Sequence, residues 1–315
     1  MLQLNTQAKE VFIYRLMHLI PPRYLVLSGG GVKVVSIVGA IKTMDSAGLL
    51  KNLKEVSGVS AGAWLAFMIA SGLSIQIIEK LVLDFEFGHI RNLTPDALLC
   101  FPETLGIDDG TNLVKFLESI FRVAVKISPS ITFAEFNALR LSSISFRCWA
   151  TDLKEQTPCE FSLKETPHVK IIDALRASMS LPLYFTPVEH PITKNFLTDG
   201  GIQGSLPLHL LTETECRHCI AIGFSGDNEK LNPNDLMGFM NSLFSCLIHS
   251  RHETILNDWA HKIIRIPIHK TASWDFEISR EQRAKLIQGG SKAASQWISR
   301  RESGTRKPLR RHSLQ

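Results

Sequence analysis

The chain has 315 residues, 44% hydrophobic and 21% charged, with 20 glycines and 14 prolines. That balance excludes wholesale disorder and collagen-like or low-complexity states, and the length allows one large domain or two ordinary ones at roughly 100–200 residues each. The net charge of +5 resides in residues 300–315, where Arg300, Arg301, Arg306, Lys307, Arg310 and Arg311 face a single acid, Glu302. Residues 1–299 are therefore neutral, which argues against a nucleic-acid-binding body.

Residues 1–23 read as a short helical segment ending at Pro21-Pro22, and Lys9, Glu10 and Arg15 interrupt any apolar leader, so no secretory signal is expected. Tyr24 to Ser28 is a short apolar run that reads as a buried strand, followed by Gly29-Gly30-Gly31. Val34, Ile37, Val38, Ile41 and Met44 recur at helical spacing, and Gly48 closes that helix. Leu53 to Ser57 forms a second strand. Gly58-Val59-Ser60-Ala61-Gly62 follows, then an apolar helix from Ala63 to Ala70. This order is a βαβ unit, whose strands lie parallel. Both glycine-rich turns are thus carried to one edge of the sheet, where α/β folds place their sites.

Val56 to Ile78 holds no charged residue and has the length of a bilayer crossing. Five polar residues (Ser57, Ser60, Ser71, Ser74, Gln76) and three glycines interrupt it. A strand end, a turn and a buried helix give the same hydropathy, and that soluble reading is preferred here.

Gly-x-Ser-x-Gly between a strand and a helix is a nucleophile elbow, with the serine on a sharp turn and glycines permitting close backbone approach. A triple glycine presents main-chain N–H groups without side chains, the donors an acyl-transfer oxyanion needs. Lys33 either holds that loop or favours negative charge beside it. The loop lacks the spacing of a phosphate-binding loop or a dinucleotide fingerprint.

A serine nucleophile needs a base. None of the eleven histidines sits in a recognisable turn motif. Among the acids, Asp199-Gly200-Gly201 follows a strand-like run, Asn195 to Thr198. The competing Asp108-Asp109-Gly110 precedes the helical pattern Leu113, Phe116, Leu117, Ile120, where helix capping accounts for it. It also lacks the alternating ligands of a calcium loop.

Six cysteines (100, 148, 159, 216, 219 and 246) read as free thiols of a reducing compartment. Cys216 and Cys219 form a lone CxxC without the second pair a structural zinc site needs, and they read as core or strand-entry residues. Residues 84–110 are rich in large apolar side chains and read either as a lid over the site or as packed loop core. Met237 to His252 and Ser279 to Ile298 read as helices that complete the domain. Residues 300–315 are expected to be a disordered basic tail, either a solvated end or an electrostatic tether to anionic lipid.

Three motifs, in order, resemble those of patatin-like phospholipases. Ser28-Gly29-Gly30-Gly31-Val32-Lys33 resembles the family's glycine-rich oxyanion motif, Gly58-Val59-Ser60-Ala61-Gly62 its elbow, and Thr198-Asp199-Gly200-Gly201 its Asp-Gly-Gly motif. Arg176 to Pro182, with Phe185 and Pro187, resembles the segment before that aspartate, and Ala150 to Leu153 a family strand end. The resemblance implies a single-domain α/β fold of three layers, a mainly parallel central sheet flanked by helices. Its catalytic core spans 24–224, and helices within 225–299 complete it. It implies Ser60 as nucleophile and Asp199 as base with no histidine in the chemistry. The oxyanion donors are then the Gly30 and Gly31 amides, helped by Gly29 and Ala61, with Lys33, Gly58, Gly62, Gly200 and Gly201 supporting the motifs. The implied activity is hydrolysis of carboxylic esters of phospholipids or lysophospholipids, without metal or cofactor, by a cytoplasmic protein acting peripherally at membranes. Val34 and Ser205 depart from the family's usual glycine and asparagine, but neither is nucleophile, base or donor. Two other readings stay open: a general esterase with a Ser-His-Asp triad, and a lipid-binding scaffold without turnover.

Overall fold

The computed structural model describes residues 22–225, scattered positions between 226 and 253, and residues 254–303 apart from 270, 272 and 274. The expected N-terminal helix, most of the helix expected over Met237 to His252, and the tail beyond Ser303 lie outside the described residues.

The central sheet grows from the apolar run at the start of the described chain. β1 (Tyr24–Leu27) lies in parallel between β2 (Glu55–Val59) and β9 (Cys219–Ser225). β10 (Ile263–Pro267) extends the sheet beyond β9, and β4 (Ser145–Asp152) extends it beyond β2, both in parallel register. The far side is antiparallel: β5 (Thr157–Ser162) and β8 (Phe196–Asp199) both pair with β4, and β7 (Val188–Glu189) pairs with β8. A separate parallel pair joins β3 (Gly106–Asp108) to β6 (Leu183–Phe185).

Alternation along β1 shows how the layers form. Leu25 and Leu27 enter the main core with α1 (Val35–Ser46), whose buried face carries Ile37, Val38 and Met44. Val26 enters a second cluster with Leu206, Leu208, Leu256 and Ile263. A sheet buried on both faces reads as continuous apolar sequence rather than alternation, as β1 does. α2 (Ala61–Ala70) is buried at every position but Ile69. A helix apolar all round belongs inside a core, which accounts for the hydropathy of Val56 to Ile78. That stretch is β2, the elbow, α2, a turn and the start of α3 (Ile75–Asp84). No helix among the described residues is long and apolar enough to cross a membrane.

Residues 84–110 divide between the two readings of the sequence. Phe87 and Ile90 are buried in a 3-10 turn, whereas α4 (Ala97–Thr104) buries no residue and exposes Leu99 to 83%. Asp108 and Asp109 are spent on the turn before α5 (Thr111–Ser119). Asp108 accepts from the Gly110 and Asn92 N–H groups, and Asp109 from the N–H and hydroxyl of Thr111. Further helices are α6 (Phe133–Leu139), α7 (Ile171–Ser178), α8 (Glu213–Arg217) and α9 (Arg280–Ser303). All six cysteines are free. Cys216 and Cys219 stand where α8 enters β9, with Cys219 Sγ donating to the Cys216 carbonyl.

The boundary at residue 299 needs correction. α9 runs on to Ser303, so Arg300 to Ser303 are helical rather than tail. Good helix formers continue past Ile298, and no breaker appears before Gly304.

α9 packs against α1 through glycines. A Cβ at Gly290 would meet the Ser36 carbonyl oxygen at 1.8 Å, and one at Gly39 would meet the Ile287 oxygen at 1.9 Å. At Gly289 a Cβ would meet nothing within 4 Å. Adjacent glycines therefore carry opposite expectations. Gly289→Ala should stabilise by up to about 1 kcal/mol through helix propensity, while Gly290→Ala should destabilise by roughly 1–3 kcal/mol through overpacking. Urea denaturation midpoints of the two variants check both signs.

Candidate active site

The register of β4 brings the two candidate catalytic residues together. Val59, the last residue of β2, lies opposite Trp149, and Asp199, the last of β8, lies opposite Ala150. β5 occupies the other edge of β4 along Arg147 to Asp152, so β2 and β8 share one edge end to end. Ser60 follows Val59 directly and therefore meets Asp199 where the two strands abut.

Ser60 occupies a turn that only close backbone packing sustains. Its φ of 54° and ψ of −134° are strained for a side chain other than glycine, at a cost of order 1–3 kcal/mol. The flanking glycines remove the obstacles. A Cβ at Gly62 would lie 2.5 Å from the Ser28 carbonyl oxygen, and one at Gly58 would lie 2.7 Å from Gly62. The elbow is pinned from a third direction. The Ser60 N–H donates to Ser178 Oγ at 2.9 Å, and Ser178 Oγ donates to the Trp149 carbonyl at 2.7 Å. Ser178 lies in a motif singled out in the sequence, but its role as the bridge from elbow to β4 carries no sequence signature.

The Asp199 main chain is equally fixed. Its N–H donates to the Ser180 carbonyl, and its carbonyl accepts from the Thr151 hydroxyl. A Cβ at Gly200 would meet the Trp149 oxygen at 2.3 Å, so this glycine is needed for the chain to leave β8. The carboxyl is 1% exposed. Oδ1 accepts from the Gly201 N–H at 2.7 Å. Oδ2 has no partner in full hydrogen-bond geometry among the described residues, although the neighbouring Ser60 hydroxyl favours the charged form. Burial outweighs both and pushes the Asp199 pKa up to about 7.

The glycine loop departs from the expectation at one position. The Gly29 N–H, expected to help an oxyanion, donates to the Ser205 carbonyl at 2.8 Å and is already committed within the loop. Its proximity serves the loop instead: a Cβ at Gly29 would lie 3.0 Å from Ser60 Cβ. The Gly30, Gly31 and Ala61 N–H groups have no hydrogen-bond partner among the described residues. Lys33 lies in the 3-10 turn Gly31–Val34, its N–H donating to the Gly30 carbonyl. Both family departures are accommodated by the local main chain. Val34 has φ −56° and ψ −26°, open to any residue, and Ser205 holds Gly29 through its main chain.

Among the described residues, no histidine lines the cavity beside Ser60. His190 Nδ1 accepts from the Ile192 and Thr193 N–H groups, and its ring stacks on Phe161.

Comparison with known proteins agrees with this architecture. A family model described as patatin-like phospholipase matches residues 25–212. An uncharacterized protein of Acanthamoeba polyphaga mimivirus is 27% identical over 285 residues, covering 87% of this chain and 93% of its own length. A probable lipid hydrolase of Invertebrate iridescent virus 6 is 28% identical over 199 residues, covering 60% of this chain and 64% of the relative. Among solved structures, VipD from Legionella pneumophila superposes with a TM-score of 0.57 at 17% identity, over 89% of this chain and 67% of VipD. With the glycine loop, the elbow and the Asp-Gly-Gly turn gathered on one sheet edge and the family model spanning most of the described core, this chain belongs to the patatin-like phospholipase family.

Proposed function

We propose that the chain is a lipid acyl hydrolase that cleaves carboxylic esters of phospholipids or lysophospholipids through Ser60 and Asp199. The observation that carries this reading is a fully buried carboxyl, Asp199, beside the Ser60 hydroxyl on a strained elbow; burial pushes its pKa up to about 7. A carboxyl so buried holds its proton more tightly than an exposed one and suits an exchange of that proton near neutral pH.

In the proposed reaction Ser60 Oγ attacks the acyl carbonyl while Asp199 takes the hydroxyl proton. The Gly30, Gly31 and Ala61 N–H groups, with the positive end of α2, face the developing oxyanion. Asp199 returns the proton to the leaving alcohol oxygen. Water, deprotonated by the same carboxylate, then attacks the acyl-serine; the acyl–Oγ bond breaks, the acid leaves, and Asp199 returns the proton to Ser60 Oγ. The apolar walls beside Ser60 suit an acyl chain, and lipid hydrolase is the name carried by a relative. The substrate is met at a membrane surface, where such lipids reside. The triad reading lacks a histidine at the cavity among the described residues, and the scaffold reading leaves the strained elbow and the buried carboxyl beside it without a purpose.

Ser60→Ala and Asp199→Asn are each expected to lower kcat by roughly 10³-fold or more, with no further loss in the double variant, because the two act as a unit. Any folded His→Ala variant as inactive as Ser60→Ala, in assays on a phospholipid and lysophospholipid panel, would transfer the role of base to that histidine.

The raised pKa makes two predictions about pH. Turnover should climb with pH through about 7, as Asp199 ionises, and a pH–rate profile reads this limb directly. Stability should move the other way. The folded pKa of about 7 lies above the ordinary value of 3.8, so the folded state binds more protons between them and loses stability as pH rises across that window. Asp199→Asn is therefore expected to melt higher than the wild type at pH 8, with the gain shrinking toward pH 4; equal melting temperatures throughout would contradict the burial cost.

A further inference from the structure

The cavity against Ser60 has a volume of only about 40 Å³. Small-molecule pockets run to roughly 300–1,000 Å³, and a single water needs about 10–15 Å³. The space therefore accepts the first atoms of an acyl group and no more. Trp64, Phe116 and Phe185 form much of its wall, and Phe87 and Ile90 close it on one side.

The last wall comes from a distant part of the chain, the strap formed by Ser273 and residues 275–278. Ser273 lies over the glycine loop: its carbonyl accepts from the Val32 N–H at 3.1 Å, and a Cβ at Gly31 would meet its oxygen at 1.9 Å. Phe276 lines the cavity, with its ring 6.1 Å from that of Tyr184. Glu277 then pairs with Arg91, directly after the turn that carries Phe87 and Ile90. Past the strap, Arg280 reaches Asp84 at 3.2 Å and Arg283 donates to the Phe85 carbonyl. The strap is thus tied to the segment that carries Phe87 and Ile90. The Arg91–Glu277 tie is solvent-exposed, and such pairs contribute little, so it can open at small cost.

We propose that this strap sets acyl-chain selectivity: Phe276 bars long chains from the space beside Ser60, and the Arg91–Glu277 pair latches it in place. The inference rests on Ser60 being the acylated residue. It adds a selectivity element that lies outside the residues matched by the family model and has no motif of its own. A long-chain ester must lift the strap to reach Ser60, whereas a short-chain ester need not.

The test compares kcat/KM for 4-nitrophenyl esters from acetyl to dodecanoyl in the wild type, Phe276→Ala and Glu277→Gln. Phe276→Ala is expected to raise the dodecanoyl-to-acetyl ratio by about tenfold or more, the discrimination that a methylene or more commands in an apolar pocket. Glu277→Gln should shift it in the same direction by less. A merely structural role for Phe276 would lower all rates together and leave the ratio alone. A second readout needs no turnover: in a Ser60→Ala background, Phe276→Ala should bind a dansyl-labelled undecanoic acid about tenfold more tightly. An unchanged ratio or equal affinities in folded variants overturn the proposal. Failure of the hydrolase reading shows separately, as a wild type no more active than Ser60→Ala.

Discussion

One strand edge organises this protein. β4 offers consecutive residues, Trp149 and Ala150, to the ends of two strands that approach from opposite directions. Hydrogen-bond register leaves little freedom along a strand, because a slip of one residue would turn every side chain to the other face. The pairing therefore places Ser60 and Asp199 side by side despite their separation in sequence. Ser178 reinforces the junction by spanning the Ser60 N–H and the Trp149 carbonyl. The glycines around it answer to the same crowding, since main chains pass one another at distances that forbid a Cβ.

The second consequence of that crowding is electrostatic. β4 and a glycine turn flank Asp199, and its carboxyl is buried from water. The neighbouring donors, Gly201 N–H and Ser60 hydroxyl, only partly offset the loss of hydration. In the proposed reaction, packing that is unfavourable to a charge becomes useful, because basicity near neutrality would follow from the same burial that weakens the fold. A fully paired carboxylate would stabilise the domain better and accept a proton less readily.

Much of this was legible in sequence because close approach has to be written in glycine. The GGG loop, the elbow and Asp199-Gly200-Gly201 lie where the chain has no room for side chains, and residue type alone records it. The buried helix α2 was legible through the same hydropathy that imitates a membrane span. Contacts made by main-chain atoms left no trace. Nothing about Gly29 distinguishes a donor committed to the Ser205 carbonyl from one facing the cavity. Nothing at Ser273 announces a carbonyl over Gly31, since any residue supplies a carbonyl. The end of α9 was misplaced for a related reason: basic residues suit a helix C-terminus as well as a disordered tail, so charge did not mark the boundary.

The position of β1 bears on what counts as the smallest working unit of this protein. β1 carries the glycine loop at its end, and one of its two neighbours is β9, which begins at Cys219, after the family match ends at 212. A fragment cut at that limit would turn the central strand into a bare edge, with unpaired N–H and carbonyl groups open to other chains. It would also lack Phe224 against Gly30, Ser273 over Gly31 and the α9 glycine that meets α1. The segment that carries the recognisable motifs is therefore narrower than the segment that folds. Domain swaps, fusions and minimal expression limits for this chain are best drawn around the whole sheet, through β10 and α9, rather than around the motifs.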